Sequence, residues 1–156
     1  VSVRTDRRRT SYIGETSTDI NAQIDYIERY ISSDGCAYFV ICDQAENRLG
    51  TVRLYDAQGD SFSWGSWVLA PDAPRFAAIE SAMIVYAYGM DELGFDNAHF
   101  AVDIGNERVW RFHQRFGARR VGKNEKEFLY EIDRDSVERS VSRYAKYLPN
   151  GIVIEG

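Results

Sequence analysis

Apolar residues recur at Ile20, Ile24, Ile27 and Ile31 after the polar run 16-TSTD-19. That spacing predicts a helix over about 19–32, ended by Ser-Ser-Asp-Gly at 32–35. The period then changes. Residues 36-CAYFVICD-43, 49-LGTVRLYD-56 and 61-SFSWGSWVLA-70 are β-prone runs separated by polar turns at 44–48 and 57–60, and three consecutive antiparallel strands are the simplest account. Ile79, Met83, Tyr86, Met90 and Leu93 then step by four, three, four and three, a helical stripe that Gly94 closes in a C′ position.

The segment 98-AHFAVDI-104 reads as a further strand, and 106-NERVWRFHQRFG-117 as a helix capped by Asn106 and closed by Gly117. A strand, a crossover helix and another strand normally give a parallel pair. Another strand at about 125–132 follows, and then an amphipathic helix over 134–147 with Val137, Val141, Tyr144 and Leu148 on its inner face. The expectation is one domain over residues 1–156, of class α/β (α+β).

Composition adds constraints. A chain of 156 residues, 44% hydrophobic and 13% aromatic, fills one sizeable core. A net charge of −5 argues against a general nucleic-acid binder, which needs a basic face to displace counterions. The cluster 4-RTDRRR-9 is the local exception, read either as a solvated surface segment or as an anion-binding patch. Cys36 and Cys42 fall on one face of one strand but far apart, so no disulfide is expected. No apolar run approaches the roughly 18 residues that cross a bilayer, and no hydrophobic leader precedes the first predicted element, so a reducing, cytoplasmic setting is expected.

The turn within 64-WGSWVLAPDAPRFAAIESAM-83 carries the first candidate chemistry. A helix start presents unpaired N–H groups and partial positive charge, which suits a phosphate or carboxylate, and Arg75 adds a full charge. On the plainer reading, Pro71 and Pro74 only shape the connection and Arg75 is solvated.

Taken together, the ordered segments resemble the GNAT superfamily of acetyl-CoA-dependent N-acetyltransferases. In that family a strand, a pyrophosphate-binding turn written Q/R-x-x-G-x-G/A, a helix, a strand, an asparagine and a short helix follow in this order. Here they correspond to 62-FSWGSWVLA-70, 71-PDAPRFAAIESA-82, 83-MIVYAYGMDELGF-95, 98-AHFAVDI-104, Asn106 and 112-FHQRFGA-118. The stretch 80-ESAMIVYAYGMDELGF-95 looks most like the branch that acetylates ribosomal-protein N-termini and nucleotide-linked amino sugars. The turn departs from the motif in either register: with Arg75 as the family's Q/R, Ala78 and Glu80 occupy the glycine positions, and with Ala78 as the last small residue, Phe76 occupies the first glycine.

The resemblance implies a mixed, mostly antiparallel sheet with a central splayed parallel strand pair and flanking helices. It implies acetyl-CoA as co-substrate, its pantetheine arm on the backbone of Trp67, Val68 and Leu69. Its pyrophosphate would lie near Arg75 and the helix-start amides from Phe76 to Ile79, with Ala77 and Ala78 keeping the approach open. Asn106 becomes a cofactor contact as well as a cap. The family's tyrosine general acid falls seven residues after Asn106, where this chain has His113; on the alternative reading His113 is a core residue beside Val109, Phe112 and Phe116.

Base candidates are Asp103, Asp60 and Glu80, or a water relay. Tyr12, Tyr55, Asp60, Trp64 and Ser66 are candidates for the acceptor pocket. The implied partner is a small-molecule amine, with neither nucleic acid nor membrane, and a homodimer is an allowed assembly. The arginines at 4–9 favour a nucleotide-linked amino sugar as acceptor. A protein N-terminal acetyltransferase and a non-catalytic acyl-CoA-binding domain are the alternatives.

Overall fold

The computed structural model describes residues 36–154. The helix expected at 19–32, the arginine cluster and Tyr12 lie outside that range. Six strands form one sheet: β1 (Ala37–Cys42), β2 (Arg48–Gln58), β3 (Ser61–Leu69), β4 (Asn97–Asp103), β5 (Arg119–Lys123) and β6 (Glu127–Asp133). Their spatial order is β1-β2-β3-β4-β6-β5. The pairs β1–β2 and β2–β3 are antiparallel, as expected of the three-strand meander, and β3–β4 is the parallel pair.

Alternation along the strands decides what the sheet buries. Val52 and Leu54 on β2, Phe62 and Trp64 on β3, Ala98, Phe100 and Val102 on β4, and Tyr130 and Ile132 on β6 form one apolar core. Three helices contribute to the same core: Met83 and Tyr86 from α1 (Ala77–Ala87), Phe116 from α2 (Glu107–Phe116) and Val137 from α3 (Arg134–Arg143). The inner face expected of the last helix holds, since Val141, Tyr144 and Leu148 pack on this core as well. Asp133 starts that helix, its Oδ1 accepting from Ser136 N at 2.7 Å.

Three local features depart from the sequence pattern. The stripe from Ile79 to Leu93 leaves α-helical geometry after Ala87 and passes through a wide π-type turn at Tyr88–Glu92, closed by Leu93 N donating to Tyr88 O. That extra residue rotates Leu93 outward, to 47% exposure, while Met90 stays in the core. Gly94, at φ 80°, ends the segment as its position implied. The strand β5 is new: 119-RRVGK-123 is a charged, glycine-containing edge strand with little β-signal of its own, recruited by β6. The final helix also stops sooner, at Arg143, and is followed by a 3-10 turn at Ala145–Tyr147.

Cys36 and Cys42 are both free thiols. Among the described residues no helix is long and apolar enough to cross a membrane.

Candidate active site

The parallel pairing of β3 and β4 is short. It joins Ser61 to Asn97, Phe62 to Ala98 and Ser63 to His99, whereas β3 continues to Leu69 and β4 to Asp103. From Trp64 onward the two strands diverge, so the backbone of Trp67, Val68 and Leu69 has no β4 ladder on that side. The opposite side stays paired: Val68 faces Thr51 and Leu69 faces Gly50 on β2. The splay is thus a slot with one wall of strand backbone, able to pair with an extended amide-bearing chain.

A β-bulge shapes that wall. The β2–β3 register jumps between Thr51 and Arg53, which leaves Ser66 and Trp67 together opposite Val52. Ser66 takes a left-handed φ of 49°, and its carbonyl accepts from Thr51 Oγ1 at 3.5 Å. The extra residue breaks the alternation, so Trp67 turns to the same face as Trp64, with ring centroids 5.3 Å apart. Trp67 Nε1 then donates to Ser81 Oγ on α1 at 3.1 Å, tying the slot wall to the helix that leaves the turn. The trace of the bulge in the sequence is an aromatic pair at positions 64 and 67, out of step with a two-residue period.

Past Leu69 the chain enters the proline turn. Phe76 holds the N-cap position of α1 with helical φ and ψ of −77° and −15° and no capping side chain. The first bond of the ladder runs from Glu80 N to Phe76 O. The amides of Ala78 and Ile79 therefore lie ahead of the ladder as donors. Ala77 leaves the expected donor set, because its N–H is bonded to Pro74 O at 3.0 Å. Arg75 and Phe76 flank this start, Phe76 exposed, and Glu80, one turn in, has its carboxyl raised above the ordinary range by burial.

His113 is in the core. It is 5% exposed, and its ring lies 4.3 Å from Phe100, 5.2 Å from Trp64 and 5.9 Å from Trp67. Burial lowers its pKa to about 3, so the imidazole is neutral at pH 7. Its Nδ1 is buried without a hydrogen-bond partner among the described residues. Of the two readings of His113, the geometry matches the core residue, and burial disfavours an imidazolium there at neutral pH.

The other candidates separate by face. Trp64, expected in the acceptor pocket, is buried against Tyr86, Phe100 and His113 on the helix side of the sheet. Tyr55 lies on the opposite face with Arg53 over its ring at 3.8 Å, and its hydroxyl reaches Gly65 of β3, where an added Cβ would approach it to 3.1 Å. Asp60 is exposed and accepts from Asn97 Nδ2 at 3.0 Å.

Asp103 shapes the β4–α2 connection, its Oδ1 accepting from Gly105 N at 2.8 Å. Asn106 sits at the N-cap of α2, but its side chain makes no capping bond; its carbonyl accepts from Val109 N and Trp110 N. Gly117 closes α2 at φ 116°, as expected.

The splay, the bulge and the uncapped helix start suit an acyl-thioester carried on a long amide-bearing arm with a phosphate group, and comparison with known proteins identifies the family. The profile described as an acetyltransferase (GNAT) domain matches residues 1–119. A solved structure described as apo FdhC, a nucleotide-linked sugar GNAT, is 33% identical with a TM-score of 0.85, covering 94% of this chain and 86% of that one.

A GCN5-related N-acetyltransferase from Brucella melitensis shares the fold at 19% identity and a TM-score of 0.78, covering 94% of this chain and 75% of that one. A spermidine N-acetyltransferase from Vibrio cholerae, in complex with CoA and spermine, shares it at 16% identity and a TM-score of 0.77, over 88% and 89% of the two chains. No curated protein sequence gives a significant match. The departures at the glycine positions and at His113 notwithstanding, the chain belongs to the GNAT acetyltransferase family.

Proposed function

We propose that the chain is an acetyl-CoA-dependent N-acetyltransferase whose acceptor is the amine of a nucleotide-linked amino sugar. The observation that carries this reading is the 33% identity, along 94% of the chain, to a protein described as a nucleotide-linked sugar GNAT. The pantetheine arm lies along Trp67, Val68 and Leu69 in the splay, and the pyrophosphate meets the amides of Ala78 and Ile79 with Arg75 beside them. Asn106 supplies a carboxamide that α2 does not use for its own cap.

In the transfer, the neutral amine nitrogen adds to the thioester carbonyl carbon, and a backbone N–H of the bulged strand stabilises the oxyanion. The nitrogen gives up its surplus proton to solvent, the C–S bond breaks, and the thiolate takes a proton from solvent. His113, neutral and enclosed, holds the wall behind Trp67 rather than acting as the acid. The burial of His113 also favours a second reading, a non-catalytic acyl-CoA-binding domain.

The deciding experiment is CoA release from acetyl-CoA, followed with a thiol reagent across nucleotide-linked amino sugars, polyamines and peptides. Turnover confined to the amino sugars is the expected result. Turnover of peptides alone would replace the acceptor, and binding of acetyl-CoA without thiol release for any amine would leave the non-catalytic reading.

A further inference from the structure

Away from the slot, three strands bring a hydroxyl, an imidazole and a carboxylate into one hydrogen-bonded line. Ser61 Oγ on β3 lies 2.7 Å from His99 Nδ1 on β4, and His99 Nε2 lies 3.0 Å from Asp56 Oδ2 on β2. Ala98 and Phe100, which flank His99, point into the core. His99 therefore projects from the opposite face, and it is open to solvent there, with its side chain 26% exposed and that of Asp56 49%.

The direction of the line follows from what each group can do. A carboxylate only accepts, so His99 Nε2 carries the proton, Nδ1 is left as an acceptor, and the Ser61 hydroxyl donates to it. Asp56 is held in place twice over. Its backbone adopts a left-handed φ of 50° where the β2–β3 register shifts between Tyr55 and Gln58, and Gln58 Nε2 donates to its Oδ2 at 2.8 Å.

Distance separates this trio from the transfer site. Five residues along β3 at about 3.3 Å each put Ser61 roughly 16 Å from Ser66. Ser61 therefore cannot touch an amine attacking a thioester at the bulge.

We propose that Ser61 is a second, independent acyl-accepting centre, a serine nucleophile activated by His99 and oriented through Asp56, with small activated acyl esters as its substrate class. Ser61 Oγ attacks the ester carbonyl carbon while its proton passes to His99 Nδ1, and the imidazolium formed is stabilised by the Asp56 carboxylate. The ester C–O bond breaks, the alcohol or phenolate leaves with the electron pair, and His99 returns its proton to solvent. Water then attacks the acyl-serine as His99 Nδ1 takes its proton, the acyl C–Oγ bond breaks, His99 returns that proton to Ser61 Oγ, and the carboxylic acid leaves. His99 is the base that touches the reacting hydroxyl, and Asp56 is a positioning residue.

The test uses the full chain with p-nitrophenyl acetate, reading nitrophenolate release and, by peptide mass spectrometry, the acetylated residue. Acetyl on Ser61 is expected, with its rate of formation falling about 100-fold in His99→Gln and in Asp56→Asn, the scale of a positioned general base. Ser61→Ala should lose the nitrophenolate burst while keeping the native circular dichroism. Acetylation only of lysines or of other serines overturns the proposal, and so does an unchanged Ser61 rate in His99→Gln. Should His99→Gln fail to fold, the Ser61 rate in Asp56→Asn decides the question in its place. The outcome is independent of acetyl-CoA turnover, so either activity can fail without the other.

Discussion

The ring of His113 lies 4.3 Å from that of Phe100, centroid to centroid, in a core closed further by Trp64, Trp67 and Phe112. A base with a pKa of about 3 when folded and 6.5 when free binds its proton more readily in the unfolded chain. Its contribution to stability is therefore complete above pH 6.5 and is lost as pH falls towards 3. From pH 7 to pH 5 the loss is about 2 kcal/mol. Urea denaturation at the two pH values should show it. In His113→Phe that component should vanish, leaving only what the other titrating groups contribute.

Ser66 turns the slot wall with φ at 49°, a region that β-branched residues resist. Ser66→Val should cost about 1–3 kcal/mol. Ser66→Gly, which adopts that backbone freely, should be neutral or stabilising. Urea midpoints at constant m-value distinguish the two outcomes, and equal losses in both variants would trace the effect to the hydroxyl instead.

Gly89, inside the widened turn after Ala87, lies directly against the Phe62 ring. A Cβ built there would collide with the Phe62 ring. Gly89→Ala should thus destabilise by about 1–3 kcal/mol through overpacking, although alanine is the better helix former. Phe62→Leu in the same chain should recover part of that loss, and a double-mutant cycle measures the coupling.

Much of this architecture was legible because the patterns are local. The meander shows in alternation over 36–70, the long helix in the stripe from Ile79 to Met90, and the end of α2 in Gly117, whose φ of 116° suits glycine. What escaped depends on partners distant in sequence. The strand β5 exists because β6 offers an edge. Trp64 and Trp67 share a face because Val52, on another strand, faces two residues. His113 was legible as apolar-faced, but its enclosure needed Phe100 and Trp64 from the sheet. Ser61, His99 and Asp56 meet across 38 and 43 residues, a line that only strand register could draw.

The helix start at Ala78 separates binding from stability. Ala78 N lies ahead of the first ladder bond, and no side chain caps the helix at Phe76. Ala78→Asp places a carboxylate in the first turn, which should stabilise α1 by about 0.3–1 kcal/mol through the helix dipole. Under the proposed function the same charge faces the pyrophosphate of CoA. Calorimetry should show acetyl-CoA binding at least about tenfold weaker, the consequence of some 1.4 kcal/mol of repulsion. A raised melting temperature with unchanged affinity would move the pyrophosphate away from this helix. A matched loss of both would mean that Ala78 is packed rather than facing the ligand.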